Sequence, residues 1–149
     1  MALDTTAGTE TLHAYSFGLL DGTQDLIFGA QHHIYTVLSI VAYCRAIGSA
    51  SDTATIQILG NNNHITGTAQ TMIIAKYVCV ATETFVWNDK FSFNGFEPVD
   101  YTEPMNTNAE QLILAAQGSS SVAQQLQMTT TDADVDLDVH VSFIDQNNA

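Results

Sequence analysis

The stretch Val135-Asp-Leu-Asp-Val-His-Val-Ser-Phe143 decides the fold class. Its odd positions (Val135, Leu137, Val139, Val141 and Phe143) are apolar, whereas Asp136, Asp138, His140 and Ser142 are polar. Successive side chains of a strand point to opposite faces, so a period of two marks a half-buried strand with one wet face. A helix would repeat its apolar positions every three to four residues, and this stretch does not.

The same criteria extend outward along the chain. Residues 12–20 read as a strand that precedes the turn Asp21-Gly22, and residues 34–47 as a long strand apolar on both faces, ending at Gly48-Ser49. Residues 53–59 alternate and close on Gly60-Asn61-Asn62-Asn63, a strong turn signal. Residues 71–81 form a second run apolar on both faces, and residues 84–93 carry Trp87 and end at Asn94-Gly95. Residues 109–117 suit a strand or a short helix, and their place between strands favours a strand. A strand apolar on both faces lies centrally in its sheet or buries its second face against another subunit. The expected architecture is all-β: a single-domain β-sandwich or jelly roll of about seven or eight antiparallel strands over residues 11–149. Residues 1–10 are polar and aperiodic and read as an N-terminal arm. Two long loops are expected, 94–108 with both prolines, Pro98 and Pro104, and 118–134, rich in Ser, Gln and Thr.

Charge narrows the function. Three basic residues against sixteen acidic ones give a formal net charge of −13. Affinity for phosphate backbones comes mainly from Lys and Arg displacing counterions, and Arg45, Lys76 and Lys90 make no patch, so nucleic acid is excluded as a partner. The same field opposes anionic lipid surfaces. The longest apolar stretch, residues 34–47, is broken by Thr36, Ser39 and Arg45 and is too short to span a bilayer. The first residues lack the basic and apolar regions of a signal peptide, so a soluble protein synthesised in a host cytoplasm is expected. In that setting Cys44 and Cys79, both in apolar runs, read as buried free thiols that could face each other across neighbouring strands.

No catalytic, cofactor or metal residues emerge. The five histidines, His13, His32, His33, His64 and His140, show none of the close paired spacings of zinc or iron sites, and the cupin set is missing. Asp132, Asp134, Asp136 and Asp138 alternate, which puts them on one face if the strand extends that far. A solvated outer face is the simpler reading and calcium the other. There is no GxSxG elbow and no phosphate-binding glycine loop.

The runs Ile34-Tyr-Thr-Val-Leu-Ser-Ile-Val-Ala-Tyr-Cys44, Asp52-Thr-Ala-Thr-Ile-Gln-Ile-Leu59, Met72-Ile-Ile-Ala-Lys-Tyr-Val-Cys-Val80, Glu83-Thr-Phe-Val-Trp87, Glu110-Gln-Leu-Ile-Leu-Ala-Ala116 and Val139-His-Val-Ser-Phe-Ile144 resemble, over residues 30–145, small β-sandwich virion proteins of tailed bacteriophages. Where that pattern carries a turn glycine, this chain has Asn108-Ala-Glu-Gln-Leu112, and its two long loops look like insertions. The resemblance implies a non-enzymatic capsid decoration (cement) protein on the outer surface of the virion, a homotrimer whose partner is the major capsid protein. It also leaves a neck, tail or baseplate protein with a carbohydrate-contacting face; a small jelly-roll enzyme is the third class. The side chains expected to meet a partner are Phe96, Tyr101 and Met105 of the first long loop and Leu3 of the arm.

Overall fold

The computed structural model describes residues 9–30, 33–61, 69–95 and 123–147. Within them the chain forms β1 (Glu10–Leu20), β2 (Thr23–Phe28), β3 (His33–Ala46), β4 (Thr53–Asn61), β5 (Ala69–Val78), β6 (Thr84–Trp87), β7 (Phe91–Asn94), β8 (Gln125–Thr130) and β9 (Asp136–Asn147), with no helix. One sheet runs β1-β9-β3-β6, with β7 also on β3, and the other runs β2-β8-β4-β5. Every pairing is antiparallel.

The order is that of a hairpin rolled up from both ends. β1 pairs β9, β2 pairs β8, β3 pairs β6 and β7, and β4 pairs β5, with successive pairs placed alternately in the two sheets. Two such sheets face to face make a jelly roll. The sandwich expected from the sequence is therefore present, with β6 and β7 as two halves of one interrupted strand.

The deciding stretch lies in the middle of the first sheet. β9 sits between β1 and β3, and Val135, Leu137, Val139, Val141 and Phe143 are all buried while His140 is exposed. They meet Val37, Ile40 and Ala42 of β3, and Ala54, Ile56, Leu126 and Met128 from the second sheet, in one core. Because β3 has a neighbour on each side, its run of mixed apolar residues belongs to a central strand.

Four departures from the sequence reading have physical causes. Residues 84–93 are not one strand: β6 pairs with Ile40–Tyr43 and β7 with Ile34–Val37, on either side of a bulge in β3. The Trp87 indole N–H donates to the Asp89 carbonyl at 2.9 Å across that break. β2 and β8 were not expected. β8 lies inside the stretch assigned as the loop 118–134, yet it is central, between β2 and β4, with Leu126 and Met128 fully buried. Its two apolar residues alternate with Gln and Thr, so the strand is hidden in a polar composition. The other run apolar on both faces, by contrast, falls at an edge, as β5. Finally, Glu10 pairs with Gln146 and the Asn147 N–H donates to the Thr9 carbonyl at 3.0 Å, so the last residues assigned to the arm belong to the sheet.

Residues 96–122 leave from Gly95 and return at Ala123. The Gln124 N–H donates to the Gly95 carbonyl and the Gly29 N–H to the Gln124 carbonyl, both at 2.8 Å. A Cβ on Gly29 would stand 2.0 Å from the Gly95 carbonyl oxygen, and one on Gly95 would stand 2.1 Å from the Ala30 oxygen. Only glycine permits so close a crossing of backbones.

Candidate functional site

Three places combine polar or exposed side chains in a way the core does not require. The first is buried. β9 keeps its alternation past Phe143, so Asp145 points inward, where His33 from β3 and His13 from β1 meet it. His33 Nδ1 lies 2.6 Å from Asp145 Oδ1, a short hydrogen bond. His13 Nδ1 lies 3.2 Å from the Tyr15 hydroxyl. Its Nε2, buried and without a hydrogen-bond partner among the described residues, is 3.9 Å from Asp145 Oδ2. The His13 ring also stacks on Phe143, centroids 5.2 Å apart. All three polar groups are sealed from solvent. This is a polar brace that ties β1, β3 and β9 together at one end of the sheet.

The second is the outer face of the same sheet. Hydroxyls form cross-strand pairs: Thr36 with Ser92, Ser39 with Ser142, and Ser16 with His140 Nδ1, each at 2.8 Å. The Ser–His pair has two of the three groups of a hydrolase triad, but the nearby carboxylate serves elsewhere. Asp138 accepts from Arg45 Nε at 2.6 Å and from the Leu19 N–H at 3.1 Å. Those two donors hold the Asp138 carboxyl below the usual carboxylate range and pin the bulge at Leu19, whose φ is 52°. Nucleophilic catalysis needs the base oriented by a third group, and none is supplied among the described residues. A shallow depression of about 280 Å³ lies here, its floor and rim including Ser16, Tyr43, Asp138 and His140.

The third is the side of the sandwich where β5 and β6, an edge strand of each sheet, lie together. Tyr77 of β5 stacks on Phe85 of β6, centroids 3.9 Å apart and planes within 7°. Along β5, β6 and the turn between them Met72, Ile73, Val78, Val80 and Val86 are exposed, Met72 at 69% and Val78 at 57%. The opposite side, made by β1 and β2, exposes Leu12, Leu19 and Phe28. Scattered apolar residues are ordinary on a surface, but a cluster along an edge strand is a template for another chain.

The sequence-based site residues Phe96, Tyr101, Met105 and Leu3 lie outside the described residues, as do His32, His64 and residues 109–117. The four aspartates do not share a strand face. Asp132 and Asp134 sit in the turn before β9, where Asp132 Oδ1 accepts from the Asp134 N–H at 3.0 Å. Among the described residues no group of three or more His, Cys, Asp or Glu is placed to hold a metal ion. Among the described residues no helix is long and apolar enough to cross a membrane. Sequence reading missed His13, His33 and Asp145. The signal was parity: Asp145 continues the odd-numbered buried face of β9, and a carboxylate there must find a partner.

No protein-family model and no curated protein sequence matches the chain. Similar strand arrangements occur in a subunit of Bacillus endospore appendages, a family of disulfide-linked pili, with TM-score 0.38, 9% identity and 100% of both chains covered. They occur also in infectious bursal disease virus, Gx strain, with TM-score 0.44 and 11% identity over 99% of this chain and 36% of that one. A T13 particle of the same virus gives TM-score 0.38 and 9% identity over 94% of this chain and 36% of that one. The chain therefore spans about a third of the length of these viral chains. No function follows from likenesses this distant.

Proposed function

We propose that the chain is a structural subunit of a virus particle: a capsid decoration (cement) protein that binds the outer surface of a phage head as a homotrimer and bridges copies of the major capsid protein. The observation that carries this reading is the placement of the exposed apolar residues. One set lies on the β5–β6 side and the other on the opposite β1–β2 side. Two different patches on opposite sides suit a head-to-tail contact, which closes into a ring when the rotation permits. A two-fold dimer would need only one self-complementary patch.

Two further features support the reading. Jelly rolls are common scaffolds of capsid proteins, although they also serve lectins and cupins, so this support is one of analogy. A net charge of −13 suits a protein on the outside of a shell, away from nucleic acid. In this reading Leu3, Phe96, Tyr101 and Met105 are the side chains that meet the capsid. Sedimentation velocity on the purified chain tests the assembly. The expected species is a trimer, converted to monomer by Ile73→Asp with Val78→Asp while the β-type circular dichroism is kept. A wild-type monomer at all concentrations contradicts it.

A tail or baseplate protein with a carbohydrate-contacting face is the second reading, favoured by the depression where Tyr43 stands beside Ser16, Asp138 and His140. Glycan binding lost in Tyr43→Ala supports it; no binding to any glycan by the wild-type chain removes it.

A further inference from the structure

Cys44 lies near the end of β3 in one sheet, and Cys79 directly follows β5 in the other, so each sheet contributes one thiol. Both cysteines are free and buried. Their backbones are held by the crossing from β5 to β6. The Cys79 N–H donates to the Asp52 carbonyl at 2.8 Å, the Cys44 N–H to the Glu83 carbonyl at 2.9 Å, and the Thr82 N–H to the Cys44 carbonyl at 2.8 Å. The two thiols are neighbours in the core, near enough to influence each other's ionisation, and the Cys44 S–H donates to the Ala46 carbonyl at 3.4 Å. A second depression, of about 160 Å³, reaches Cys44 from the surface between Tyr77, Val78, Val80, Glu83 and Phe85. Cys79 is not among its walls.

We propose that Cys44 and Cys79 form a redox modification site, in which a small peroxide entering through this opening converts the thiol pair into a disulfide that staples the two sheets beneath the apolar edge. Cys44 is the attacking thiol because the opening reaches it, and Cys79 resolves. The Cys44 thiolate attacks one peroxide oxygen and the O–O bond breaks. The departing hydroxide takes up a proton as water, and Cys44 is left as a sulfenic acid. Cys79 sulfur, its proton given up, then attacks Cys44 Sγ; the S–O bond breaks and the hydroxide leaves as a second water. Two thiols lose two electrons and two protons, and one hydrogen peroxide becomes two waters.

Burial slows the first step. It pushes the Cys44 thiol up and the Cys79 thiol up to about 11, so little thiolate is present at neutral pH. The pair therefore stays reduced in a reducing cytoplasm and closes on prolonged exposure to oxidant. The bond joins strands of one chain, so it stands whether or not the edge above it meets another subunit.

The test uses the full folded chain treated with hydrogen peroxide. The intact mass should fall by two hydrogen atoms, peptide mapping should join Cys44 to Cys79, and Tm should rise on the order of 10 °C and return on thiol reduction. In Cys79→Ala a dimedone adduct should appear on Cys44, and in Cys44→Ala none should appear on Cys79. Any of three results overturns the proposal: both thiols intact under conditions that oxidise the urea-unfolded chain, disulfides only between chains, or sulfenate trapped first on Cys79.

Discussion

Asp145 enters the core on the same face of β9 as Phe143, and its partner His33 is buried with it. A buried hydrogen bond of this kind adds little compared with an apolar core, but removing one member leaves the other unsatisfied. Asp145→Asn is therefore expected to lower stability by roughly 3 kcal/mol, read as a fall in the urea midpoint with unchanged slope. Tyr35 and Cys79 make a second prediction at this scale. Burial pushes Tyr35 from 10.0 to about 12 and Cys79 from 9.0 to about 11. Both are neutral when protonated, so the unfolded chain loses these protons first as pH rises. Their contribution is present in full below about pH 9 and is lost progressively toward pH 12. Urea midpoints measured across that window should fall, and Tyr35→Phe should make the fall shallower. A flat profile contradicts the burial of both groups.

The elements differ in how plainly the sequence declares them. β9 and β3 were legible because their apolar residues point at the core they help to build. β1 was legible as a strand but not in its phase, since it exposes Leu12 and buries His13, the reverse of their hydropathies. β8 was lost because a central strand needs only Leu126 and Met128 on its inner face. On the outer face Gln127 donates to Asp25 Oδ1 at 2.8 Å and accepts from Gln57 at 3.0 Å, a polar row that looks like loop composition. Leu126→Ala should cost about 2–5 kcal/mol as a core truncation, against nearly nothing if those residues were a loop. Gly95→Ala should cost roughly 3 kcal/mol, because its Cβ would meet Ala30 backbone on which β2 and β3 depend. Chemical denaturation of each variant checks both. The candidate edge was only half legible: residues 71–81 announced a strand apolar on both faces, but whether its second face met core or solvent depends on pairing that no local pattern encodes.

For the whole molecule, an acidic jelly roll exposes apolar side chains on two opposite sides and seals its polar cluster inside. The proposed role places those two sides against copies of itself or of the capsid. Deleting residues 1–8 should weaken attachment to particles without changing the oligomeric state, read by co-sedimentation with purified heads; equal binding removes the arm from the account. The most direct measurement is the copy number of this chain in purified virus particles, by quantitative mass spectrometry against the major capsid protein. Copies in number comparable to the capsid lattice are predicted. Absence from the particle would contradict the virion reading, and a handful of copies would contradict decoration.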